Sequence, residues 1–348
     1  VNRRLLILTE GLSDPLSAKT AVCLVRYRPE QVVAILDSTR RGETTQSLWG
    51  IGGAIPVVGA VEDAPEANTL VIGIAPPGGR LPPPLRAAVL AALARGWNVE
   101  SGLHEFLSDD AEFVEAAERN RAHLRDVRRN RERELANRRG IDERCLRIHT
   151  VGHDCSVGKM LTAVELTRKL NALGHDAKFV ATGQTGILVE GDGCPIDCVV
   201  SDFVNGAAEK LVLANQSHEI LLIEGQASVT HPRFSAVTTG LLHGSMPDGL
   251  IYCIELGRTH FRGMTEIPLP PLADSIRLTE TLANVMHPCR TLGLAINSSR
   301  VSALEADAAR DRLRRELALP VCDVLRHGPE ELCHAILTFQ RQIGKQRS

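Results

Sequence analysis

The chain has 348 residues, 43% of them hydrophobic and 24% charged, which suffices for a sizeable core in two domains and is too apolar for disorder. A net charge of −2 and 3% aromatic residues argue against a nucleic-acid binder, and no apolar run reaches the roughly 18–20 residues of a membrane helix. Nine scattered cysteines, with no charged-then-apolar leader pattern, read as reduced thiols of a cytoplasmic protein.

Short β-like runs alternate with helical patterns. In the first third, strands are expected at residues 5–9, 32–37, 69–75 and 98–100, and helices near 15–26 and 83–95. Residues 109–144 break that rhythm. Arg119, Arg121, Arg125, Arg128, Arg129, Arg131, Arg133, Arg138 and Arg139 interleave there with Glu118, Asp126, Glu132 and Glu134. Such a run reads as a solvated helix plus linker, or as a basic face meeting a phosphate or a partner subunit. It sets a boundary near Gly140, giving domains 1–140 and 141–348. In the second half, strands are expected at 145–151, 177–181, 220–224, 250–255, 291–297 and 321–324. Helices are expected near 159–173, 202–215, 234–243, 272–286, 304–317 and 329–342. Both halves read as α/β, the second doubly wound. The first lacks Gly-x-Gly-x-x-Gly, so Asp37 at its second strand end is slender support for a dinucleotide site.

The strongest motif is Gly152-His153-Asp154-Cys155-Ser156-Val157-Gly158-Lys159-Met160, placed between a predicted strand and a predicted helix. In that context backbone N–H groups and the helix start face an anion, and the lysine adds charge. Its Gly-x5-Gly-Lys spacing resembles the variant phosphate loop of dethiobiotin synthetase, which ends in Thr where this chain has Met160. A thioether cannot replace a hydroxyl on Mg²⁺, so a standard Mg·ATP geometry is not expected, and no metal site is assigned.

Other polar clusters sit at predicted strand ends. Glu224 closes an apolar strand, where a carboxylate serves a metal or acts as a base. Ser228, His231 and Arg233 follow, and His231 is a candidate proton carrier. Gln184 and Thr185 lie between two glycines and suit ligand contact. Arg258, His260 and Arg262 after the strand at 250–255 suit a carboxylate or phosphate. Asn297, closing another strand, sits where this fold class often reads a base. Cys194-Pro195-Ile196-Asp197-Cys198 has CxxxC spacing but no companion pair, so zinc is not expected. Cys155, near a helix start, is set aside as a nucleophile.

Several segments together carry a resemblance. They are Ala18-Lys19-Thr20-Ala21, Gly102-Leu103-His104-Glu105-Phe106-Leu107-Ser108-Asp109-Asp110, the loop 152–159, residues 182–186, Glu224-Gly225-Gln226 and Gly257-Arg258. The chain resembles a family catalogued as a domain of unknown function, with a Rossmann-like N-terminal domain and a P-loop NTPase-like C-terminal domain. That family includes the DgcN-type D-glutamate N-acetyltransferases, which work beside an enolase-superfamily partner. The resemblance implies acetyl transfer from acetyl-CoA to the amine of an acidic D-amino acid. On that view the loop 152–160 and Asn297 hold the cofactor, and Lys159, Glu224 and His231 are the catalytic candidates. Gln184, Thr185, Arg258, His260 and Arg262 would meet the substrate. A phosphate loop can hold the phosphates of CoA without an obligatory metal, which suits Met160. Deviant P-loop relatives often build sites across a dimer interface, so a homo-oligomer is expected. Two alternatives stay open: an ATP/Mg-dependent kinase or ligase, and a non-catalytic nucleotide sensor.

Overall fold

Strand runs that are apolar on both faces belong to parallel sheets covered by helices. Leu5-Leu6-Ile7-Leu8 and Ile220-Leu221-Leu222-Ile223 are of this kind and are wholly buried. The computed structural model, which describes residues 3–345, places them in two six-stranded parallel sheets. Each sheet lies in its own unit. One unit holds the residues up to 130 together with 187–198, and the other holds 131–186 and the residues from 199 onward.

The first unit runs β1 (Leu5–Leu8), α1 (Lys19–Tyr27), β2 (Val32–Leu36), α2 (Thr45–Trp49), β3 (Val57–Val58), β4 (Thr69–Ile72), α3 (Arg86–Ala94), β5 (Asn98–Ser101), α4 (Ala111–Arg119) and β6 (Leu124–Asp126). The sheet order β3-β2-β1-β4-β5-β6 reverses between β1 and β4, as in a Rossmann-like fold. Asp110 caps α4 by accepting from the N–H groups of Glu112 and Phe113. At the strand ends, Asp37 accepts from Gly11 N at 3.0 Å, Thr39 N at 3.0 Å and Thr39 Oγ1 at 2.7 Å, and it also pairs with Ser13. The residue that a ribose would need is committed to its own loops.

The second series is β7 (Leu146–Gly152), α5 (Lys159–Ala172), β8 (Ala177–Val180), α6 (Gln184–Glu190), α7 (Val204–Asn215), β9 (Ile220–Ile223), α8 (Ser235–Ser245), β10 (Gly249–Glu255), β11 (His260–Phe261), β12 (Met264–Pro268), α9 (Leu272–Asn284), β13 (Arg290–Asn297), α10 (Ala303–Leu317), β14 (Val321–Cys322) and α11 (Glu330–Gln342). Its sheet order is β14-β13-β10-β7-β9-β8, and β11 pairs with β12 as a small hairpin. The strand β7 therefore lies between β10 and β9, and its C-terminal end opens at the centre of the sheet edge.

The arginine-rich stretch contains only one helix, α4, then β6 and a run without helix or strand from 127 to 145. Residues 131–140 group with the second unit, so the junction falls before Gly140. The cause is local: Glu209 on α7 accepts from the N–H groups of Asn137 and Arg138 at 2.9 and 2.8 Å, and Gly206 on α7 lets the Glu134 carbonyl approach. None of the nine cysteines is in a disulfide. Among the described residues no helix is long and apolar enough to cross a membrane.

Candidate functional site

The loop after β7 is shaped by steric limits. At Gly152 a Cβ would stand 2.4 Å from the Cys253 carbonyl oxygen on β10. Ser156 and Gly158 take φ of +56° and +104°. Left-handed residues in such a turn aim successive N–H groups at one point, which makes a nest for an anion. The 14-residue helix α5 starts at once, adding the positive end of its dipole. Lys159 is buried, and its Nζ donates to the Asp154 carbonyl at 2.6 Å. Burial pushes its ammonium pKa down, a penalty that a bound anion would offset.

Asp154 organises the loop. It is 0% exposed, and its carboxylate accepts from Cys155 N at 2.6 Å, Arg258 Nη1 at 2.7 Å and Arg262 N at 2.7 Å. Arg258 also donates to the Cys155 carbonyl at 2.8 Å and pairs with Glu255, which Arg300 approaches at 3.1 Å. Arg258 is thus a clamp between the phosphate loop and the end of β10. His153 ties the same ends together, its Nε2 accepting from Glu255 N at 3.1 Å.

His231 is buried between the rings of Phe234 and Phe261, with centroids 4.7 and 5.0 Å away. Its Nδ1 accepts from Arg233 N at 3.1 Å, which leaves the proton on Nε2. That Nε2 lies 3.4 Å from Asp154 Oδ1 and has no hydrogen-bond partner among the described residues. A buried donor aimed at the loop without a partner is suited to a ligand oxygen.

Glu224 lies under the turn before α6. Its Oε2 accepts from Thr182 N and Gly183 N at 2.9 and 3.0 Å, and a Cβ on Gly186 would stand 2.4 Å from that oxygen. Gln184 and Thr185 open α6 directly after that turn, so the structure brings these two and Glu224 together. His260 and Arg262 are exposed on the β11–β12 hairpin. Nδ1 of His260 is 2.9 Å from Thr259 Oγ1, and Arg262 meets the loop through its backbone N–H. Asn297 accepts from Ser299 N at 3.1 Å and shapes the turn after β13. Met160 is half-buried, and Thr162 hydrogen-bonds the Cys253 thiol in the core. The Asp154–Arg258–Glu255 clamp was not legible in the sequence. Its one signal is an arginine three residues beyond an acidic strand end.

The imidazoles around the loop are held neutral. Burial pushes His149 down to about 3, and burial with the Arg258 and Lys159 charges pushes His153 down to about 4. The unfolded chain takes up these protons near the ordinary value of 6.5, and the folded chain does not. The stability they contribute is whole above 6.5 and is lost as pH falls toward 4. Urea unfolding at pH 7 and pH 5 should show a loss of about 2–4 kcal/mol at the lower pH. His153→Gln should flatten that dependence, and equal stability at both values would mean that the imidazoles are not buried neutral.

Residues 131–333 match the family model of the DUF1611 P-loop domain, described as a domain of unknown function, and residues 38–130 match its Rossmann-like companion. The chain is 35% identical over 322 residues to a D-glutamate N-acetyltransferase of a Pseudoalteromonas species, covering 92% of this chain and 94% of that protein. It is 36% identical over 328 residues to a protein of the same name from Tritonibacter scottomollicae, covering 93% and 95%. The crystal structure of a DUF1611 family protein from Anabaena variabilis is similar with a TM-score of 0.88 at 34% identity, covering 97% of this chain and all of that one.

Proposed function

The chain belongs to the DUF1611 family, and on that premise we propose that it transfers an acetyl group from acetyl-CoA to the amine of an acidic D-amino acid, D-glutamate first. The observation that carries this reading is likeness over more than nine-tenths of the chain to two proteins named for that activity. Their name supports an acyltransferase in general, and the site's chemistry supports the finer assignment.

The loop suits the phosphates of CoA. It offers a nest of N–H groups, the start of α5 and a buried lysine, none of which requires a metal. Neither Met160 nor the inward-turned Thr162 offers a hydroxyl there, which weighs against Mg·ATP. Acetyl transfer needs an amine freed of its proton and a carbonyl oxygen stabilised as charge develops on it. Glu224 is the assigned base, since its carboxylate can take the ammonium proton. His231 is assigned as a donor, because its accepting nitrogen is already used by Arg233 N and Nε2 carries the proton. Lys159 anchors phosphate. Arg258 is committed to Asp154 and Glu255, so we assign it to positioning the loop. The exposed Arg262 and His260, with Gln184 and Thr185, are assigned to the substrate carboxylates.

The test is release of free CoA thiol with D-glutamate, with and without EDTA, and mass detection of the N-acetyl product. Turnover that survives EDTA is expected, and Lys159→Ala should weaken CoA binding by about 2–3 kcal/mol through loss of charge-assisted contacts. Turnover of ATP with Mg²⁺, and none of acetyl-CoA, would replace this reading by phosphoryl transfer. CoA binding unchanged in Lys159→Ala would remove the loop from the cofactor site.

A further inference from the structure

Three groups of side chains in the described residues bring metal-ligating atoms together: Asp154 with Cys155 and His231, Glu143 with Asp248 and His287, and His104 with Asp197 and Cys198. In the first, the Asp154 carboxylate is taken by Arg258 and by two backbone N–H groups. In the second, Asp248 and Glu143 are neutralised by Arg147 and Lys345. The third differs. Arg128 holds Oδ2 of Asp197, at 2.8 Å, while Oδ1 is buried with no hydrogen-bond partner among the described residues. A buried carboxylate oxygen left without a partner is costly, and a cation would satisfy it.

The third group lies wholly in the first unit. His104 follows β5, at the C-terminal edge of its sheet, and its ring packs on Gly79, where a Cβ would come within 2.5 Å of the imidazole. Gly79 also accepts from His104 N at 2.9 Å, so the ring is fixed against a backbone that tolerates no side chain. Asp197 and Cys198 share one short helical turn, pinned by Cys198 N donating to the Pro195 carbonyl and by the Asn130 amide donating to the Cys198 carbonyl, both at 2.9 Å. Cys198 Sγ stands 3.5 Å from His104 Nδ1. Tetrahedral zinc, with bonds of about 2.3 Å to sulfur and about 2.0 Å to nitrogen, places such a pair about 3.5 Å apart. One ligand atom from each of the three residues, a carboxylate oxygen of Asp197 among them, lies within 4.8 Å of the others.

We propose that His104, Asp197 and Cys198 bind a thiophilic divalent cation of zinc's class, with the fourth position open to water. The donor set is the argument: thiolate and imidazole select zinc over magnesium or calcium, and the carboxylate adds charge. Arg128 fixes the carboxylate through its other oxygen, as outer partners of metal ligands do. The half-exposed His104 side chain leaves an approach from solvent. The CxxxC segment has no companion pair in the sequence; the structure sets Cys198 beside the distant His104 instead, and Cys194 is not in the cluster.

The test uses the full, tag-free chain stripped with chelator and titrated with Co²⁺, whose thiolate bond gives a charge-transfer band in the near ultraviolet. About one equivalent should saturate the band. Cys198→Ser should abolish it, and His104→Gln, a change at a half-exposed side chain, should weaken binding about tenfold or more while the chain stays folded. Cys155→Ser should leave the band intact. No band in the unaltered chain, or a band lost in Cys155→Ser and kept in Cys198→Ser and His104→Gln, would overturn the site.

Discussion

Asp154→Ala is expected to lower stability by about 3–5 kcal/mol and to abolish CoA binding, because it leaves a buried guanidinium facing a single carboxylate. Asp154 is 0% exposed, and Arg258 beside it has only 9% of its side chain exposed. Their bond joins the phosphate loop to the residues after β10. Without the carboxylate, the N–H groups of Cys155 and Arg262 also lose their acceptor. The loop would then lose the strained turn at Ser156, and the nest with it. Asp154→Asn keeps the shape and loses the charge, so it should fall between. Chemical denaturation and calorimetric titration with CoA separate the two effects. A stable Asp154→Ala protein that binds CoA more tightly would mean that the carboxylate merely repels phosphate, and the clamp would be discarded.

Local signals carried the fold a long way. The strands and helices that were expected lie within a few residues of their expected positions, because apolar runs buried on both faces leave little choice of element, whereas α2 and the short edge strands β3 and β6 carried no such run and were not anticipated. What failed locally was masked by glycine or by charge. The turn at 182–186 looks like loop, yet α6 starts at Gln184 once Gly183 N and Thr182 N are anchored on Glu224. The hairpin of β11 and β12 hides in a charged segment. The site was legible only as separate pieces. The loop spacing, the strand-end Glu224 and the arginines after β10 are each visible, but Asp154 meets Arg258 across 104 residues. That meeting depends on β7 pairing with β10, with Gly152 opposite Cys253. Sheet order is non-local, so no window of sequence contains it. The same holds for His104 and Cys198, which lie 94 residues apart.

Gly225→Ala tests the other side of the site. A Cβ there would stand 1.6 Å from the Thr150 carbonyl oxygen and 2.8 Å from its carbon, both rigid backbone atoms of β7. No rotamer relieves a clash with backbone, so β9 must move away from β7 or the chain must unfold. The strands are parallel neighbours from Leu146 opposite Ile220 to His149 opposite Ile223, and Gly225 N donates to Thr150 Oγ1 at 3.0 Å. Separation would break that bond and carry Glu224 off the N–H groups of Thr182 and Gly183. The expected loss is about 3 kcal/mol or more, at or above the top of the usual range for overpacking in a core, because the clash is with backbone. A fall in the urea midpoint, or recovery only as insoluble protein, is the predicted readout. A Gly225→Ala protein with an unchanged midpoint would contradict the close approach of β9 to β7. If it folded at reduced stability but lost turnover with CoA binding intact, the defect would lie at Glu224, which would separate the proposed base from the phosphate loop.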